Sequence, residues 1–191
     1  MREKVLFVYY LLGTIIISYA CIIALDYAKD NNWLYNIHYF FSALVFGYYF
    51  NGILIKKINK TIVTLLFSAV AINFIVTDLI LTHSYFNSFS NAFLFLCMVI
   101  SSLIYFKELL INMNEKNILL NFNLWLISGY IIYYLGGFLI ILSYGYFTDK
   151  FTFEQRSILG DLWSVLNVLL FVTSIFTLSS QIWIAYRNKS Q

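Results

Sequence analysis

Residues 124–147, LWLISGYIIYYLGGFLIILSYGYF, carry no Asp, Glu, Lys or Arg over 24 positions. An apolar helix needs about 20 residues to cross the hydrocarbon core of a bilayer. The stretch therefore reads as a complete transmembrane helix. The rest of the chain has the same character. Of its 191 residues, 61% are hydrophobic and 11% charged, against about 45–50% apolar and about 25% charged in an ordinary soluble domain. The mean hydropathy is +0.79. So few charges cannot cover a water-facing surface, and the composition points to a membrane protein.

Working outward from 124–147, five more runs are long enough to span. The set is 5–25, 33–55, 62–82, 88–106, 124–147 and 160–186. The alternating polar and apolar pattern of a transmembrane barrel is absent, and with no proline the chain lacks the commonest cause of helix kinks. The expected fold is all-α, a polytopic transmembrane bundle of six helices forming one membrane domain over 1–191. Arg2 and Lys4 give a basic start, but the apolar run from Val5 to Leu25 outlasts the roughly 7–15 residues of a signal-peptide core. It is read as a retained first helix. The inner loop 107–123 is expected to prolong the fourth helix or to lie along the interface.

Charge placement sets the expected orientation. Arg2, Lys4, Lys56, Lys57, Lys60, Lys107, Lys116, Arg187 and Lys189 fall on one side, and Lys29, Lys150 and Arg156 on the other. By the positive-inside rule the richer side is cytoplasmic. Both termini are then cytoplasmic, in the inner (cytoplasmic) membrane. Trp33, Trp125, Trp163 and Trp183 fall at span ends, where indole rings anchor in the headgroup region. Trp163 and Trp183 are separated by about 30 Å of helix, one hydrocarbon thickness.

Ionisable groups inside a bilayer are costly and mark candidate functional positions. His38, Asp78 and His83 all map toward the outer leaflet, with Asn167 of the sixth span at similar depth. They are candidate ligand-binding residues, and interfacial or structural roles compete with that reading. Ser164, Asn167, Ser174 and Gln181 share one face of the sixth span, as packing residues or as the lining of a path. Gly129 and Gly136, seven apart, make a flat strip for close helix approach. Cys21 and Cys97 sit inside apolar runs and read as packed thiols.

Several chemistries lack their signatures. There is no H-E-x-x-H, C-x-x-C, G-x-S-x-G or phosphate-cradling glycine loop. No metal site, cofactor or catalytic residue is expected. No basic cluster is long enough to track a nucleic acid.

The carboxy-terminal half, 107–186, reads FKELL, then NFNLWLISGYIIYYLGGFLI, and later LWSVLNVLL. It resembles uncharacterised six-span membrane proteins of Bacteroidota. In those a Phe-Trp pair precedes the glycine of the fifth span, and a Leu-Trp plus Asn pattern occupies the sixth. Here Leu124-Trp125 stands in place of Phe-Trp, and Asn123 stands near the position of a usual proline. Such proteins often accompany sensor histidine kinases, so the resemblance implies a signalling context and no catalytic residues. The expected function is a sensory or ligand-binding membrane module acting through a partner, a sensor kinase or another membrane protein. A homo-oligomeric channel or small transporter and an intramembrane enzyme are the alternatives. The lipid bilayer is the first partner under every reading.

Overall fold

The computed structural model describes residues 10, 13, 16, 32–77, 88–112, 121–147 and 153–189. Five helices order the described chain: α1 Asn32–Ile53, α2 Lys57–Phe74, α3 Ser88–Ile111, α4 Phe122–Phe147 and α5 Phe153–Lys189. No strand occurs among the described residues, so the all-α class holds.

Among the described residues, four stretches are long and apolar enough to cross a membrane: Lys57–Thr77, Ser88–Ile111, Phe122–Ser143 and Ile158–Thr177. They suit a membrane-embedded protein. Their outward faces support this, since Leu65, Ile72, Leu139, Val168, Phe171 and Val172 are all exposed. Lipid is an ordinary neighbour for such faces, whereas in water exposed apolar residues in this number are a liability. The second predicted span forms α1 but is not among the four. Its Asn36, His38, Asn51 and several tyrosines dilute its hydropathy. The first predicted span lies outside the described residues apart from Tyr10, Gly13 and Ile16, which are helical.

Helix ends differ from the expected spans in an informative way. α3 continues past the predicted end at 106 to Ile111, and α5 starts at Phe153, ahead of the predicted 160. Charged residues do not stop a helix at the membrane surface, because their long side chains reach the headgroups while the backbone bonds continue. Of the inner loop 107–123, the first part thus prolongs the fourth predicted span, and 113–120 lies outside the described residues.

The chain divides into two compact units, Met1–Cys97 and Met98–Gln191. In the first, α1 and α2 form a hairpin turned by Leu54, Ile55 and Lys56. Phe50 stacks on Phe67 with centroids 6.2 Å apart. Gly47 admits Phe67, whose Cβ lies 3.0 Å from where a Cβ on Gly47 would stand. Asn51 donates from Nδ2 to Thr64 Oγ1 at 3.0 Å. These pairs fix one antiparallel register along the seam.

In the second unit α4 and α5 form another hairpin. Trp125 meets Phe176 edge-on at 5.6 Å, and Tyr133 meets Trp163 at 5.8 Å. Between them, Gly129 lies against Thr173 and Gly136 against Leu166. The two glycines let the helices approach closely, and packing of this kind is the main attraction between helices in lipid. α4 buries a second face through Ile127, Tyr130, Tyr134 and Ile141.

Candidate functional site

Four polar residues of the first unit, Asn73, Thr77, Ser90 and Asn91, gather where α2 ends and α3 begins. Asn73 Nδ2 donates to Ser90 Oγ at 2.6 Å. The Thr77 and Ser90 hydroxyls are 3.3 Å apart. Thr77 Oγ1 also donates to the Asn73 carbonyl at 2.7 Å. Residues 75–77 wind as a π-helical turn, a widening that recurs at functional positions. The turn brings Thr77 to Ser90 while keeping its bond back to Asn73.

Beside Ser90 stands Asn91, with 0% of its surface exposed. Neither its amide nitrogen nor its amide oxygen has a hydrogen-bond partner among the described residues. A buried amide left unmatched costs about 1–3 kcal/mol. Asn36 of α1 is also buried. Tyr39 meets Phe95 edge-on at 5.8 Å, and Asn36 and Asn91 each stand one helical turn before that contact on their own helices.

His38 is half-buried and framed by aromatic rings. Tyr10 stacks on it at 6.0 Å, and Tyr39 lies at 5.6 Å. The His38 carbonyl accepts from Ser42 Oγ at 2.8 Å, and Ser42 Oγ lies 3.4 Å from the Tyr10 hydroxyl. Asp78 and His83 lie outside the described residues, so no geometry joins them to His38.

The sixth predicted span does not present its polar residues alike. Ser164 and Asn167 are exposed, whereas Ser174 is buried. Ser164 donates to the Gly160 carbonyl at 3.0 Å and Ser174 to the Leu170 carbonyl at 2.8 Å. Both hydroxyls are satisfied by their own helix. The Gln181 side chain lies outside the described residues, as does that of Trp33. Trp125 and Trp163 are half-buried in the α4–α5 seam, and Trp183 is exposed. Cys97 is a free, buried thiol. No group of His, Cys, Asp and Glu suited to a metal occurs among the described residues.

Asn73, Thr77, Ser90 and Asn91 are absent from the sequence candidates because neutral amides and hydroxyls stand out less than ionisable groups in an apolar span. Glu108 falls within the expected inner loop 107–123. The extension of α3 buries Glu108 to 3% exposure. The available signal was spacing: Met98, Ser101, Tyr105 and Glu108 follow one another by three, four and three residues, one helix face. No family model, curated protein or solved structure matches this chain.

Proposed function

We propose that this chain is a six-helix membrane protein that binds a small polar ligand at the cluster of Asn73, Thr77, Ser90 and Asn91 and signals through a partner. In this reading it sits in the cytoplasmic membrane with both termini inside, and the cluster lies toward the outer leaflet. The observation that carries the reading is Asn91, a fully buried amide whose donor and acceptor are both unmatched among the described residues. Buried polar groups are ordinarily paired. A neutral solute with a donor and an acceptor would complete the amide, and Ser90 stands next in the chain. In this reading the bound state is relayed to another protein. The resemblance of 107–186 to proteins that accompany sensor histidine kinases supports a kinase as that partner.

The test compares wild type with Asn91→Leu. Protein extracted gently from its own membrane is weighed by native mass spectrometry. The wild type is expected to carry a small non-lipid adduct that Asn91→Leu lacks. Measured against wild type stripped of its adduct, the variant should be more stable by about 1–3 kcal/mol, because the buried amide left unmatched in that state has been replaced by an apolar side chain of similar size. An adduct retained in full by Asn91→Leu would sink the proposal, as would wild-type protein that never carries one.

A further inference from the structure

A groove of about 480 Å³ runs along the α1–α2 seam, lined by Ala43, Gly47, Ser68 and Ala71 with Tyr48 and Asn51 among its remaining walls. Its volume falls within the ordinary range of small-molecule sites, about 300–1,000 Å³. Small residues keep it open: Ala43 and Gly47 are four apart on α1, and Ser68 and Ala71 are three apart on α2. Leu44, Tyr48 and Ile72 are each about half exposed along its rim, so it opens on the apolar outer surface of the hairpin. The groove is separate from the polar cluster and does not depend on the function proposed for it.

One end of the groove is polar. Asn51 and Thr64 bond to each other there. Lys57, Lys60, Thr64, Ser68 and Ala71 follow at spacings of three, four, four and three, which places them on a single face of α2. The face that lines the groove therefore runs on into two lysines, with Lys56 beside them in the turn. The N-terminus of α2 lies at the same turn, and its dipole adds to their positive potential. An apolar slot ending in a polar pair and then in cations matches a molecule with an acyl chain and an anionic head.

We infer that this groove holds an acyl chain of an anionic phospholipid, with the phosphate seated at Lys56, Lys57 and Lys60. Charge complementarity selects this occupant over a second apolar helix, which brings no negative charge to the lysine end. Basic pockets between helices at a membrane surface bind anionic head groups in this way.

The test reconstitutes the full chain in nanodiscs with equal amounts of phosphatidylglycerol and phosphatidylcholine. Lipids retained after release into detergent are then counted by native mass spectrometry. Phosphatidylglycerol should be retained in clear excess over phosphatidylcholine. The double variant Lys57→Gln/Lys60→Gln should lose most of that preference, about fivefold for each lysine. Ser68 is exposed, so Ser68→Leu fills the groove from its open side; it should lower retention of both lipids while circular dichroism stays unchanged. Equal retention of the two lipids by the wild type would overturn the inference. So would a preference that survives the double lysine variant, or a two-chain assembly that Ser68→Leu reduces to one chain.

Discussion

Gly129→Ala is expected to lower the stability of the α4–α5 hairpin by about 3 kcal/mol, the upper end of the usual range for overpacking. The new Cβ would stand 2.8 Å from Thr173 Cβ and overlap the Thr173 methyl group. Neither atom can yield easily. Thr173 is β-branched and stiff at χ1, and its hydroxyl donates to the Leu169 carbonyl at 2.8 Å. Gly136→Ala provides the contrast. Its Cβ would meet the Cδ atoms of Leu166 at 2.9 and 3.0 Å, and these are the far end of a flexible chain. That substitution should cost about 1 kcal/mol or less. Thr173→Ala should restore part of what Gly129→Ala loses, because it removes the overlapping methyl. The measurement is SDS-induced unfolding in mixed micelles, followed by tryptophan fluorescence. Trp125 and Trp163 lie in the same seam and report its separation. Strictly additive losses in the Gly129–Thr173 double-mutant cycle would show that this pair does not set the helix approach.

Phe50→Ala should destabilise the α1–α2 hairpin by about 3 kcal/mol or more, as buried Phe→Ala changes do. Phe50 is 1% exposed and Phe67 is 3% exposed, and their rings are stacked within 19° of parallel. Removing one ring leaves a cavity that Gly47, with no side chain, cannot fill. In lipid the transfer part of the loss is small, since acyl chains are as apolar as the core. The lost contacts and the unfilled volume carry the effect. Phe41 supplies the control, because it is 54% exposed. Phe41→Ala exchanges one apolar neighbour for lipid and should fall within about 0.5 kcal/mol of wild type. The same unfolding assay separates the two. Equal losses at 41 and 50 would mean that burial in this hairpin contributes nothing beyond side-chain size.

Legibility in the sequence followed the range of each interaction. Membrane character comes from the local absence of charge, and 124–147 displays it without reference to any other segment. The four apolar spans of the structure overlap four predicted ones for that reason. Helix ends were less legible. Lys107 looks like a boundary on paper, yet α3 runs on to Ile111 and takes Glu108 into a buried position. A charge marks where a side chain reaches water, not where backbone hydrogen bonds stop.

The candidate site divides in the same way. His38 stood out because it is ionisable, and its half-buried place among aromatic rings is a fact of the fold. Asn91 did not stand out, because an asparagine near a helix start ordinarily faces water or a cap. Only packing reveals that its amide is enclosed with no partner among the described residues.

By itself the sequence determined that the chain is helical and membrane-embedded, since hydropathy and the absence of strand alternation are properties of single segments. Spacing along one helix also showed that Gly129 and Gly136 make a strip. Tertiary structure alone decided what fills that strip, which asparagine is enclosed, and that Ala43, Gly47, Ser68 and Ala71 leave a groove ending in lysines. Each of these depends on which two helices meet and in what register. Register is set by many weak contacts summed across a seam, such as Phe50 on Phe67 and Asn51 on Thr64, and no single segment carries that sum.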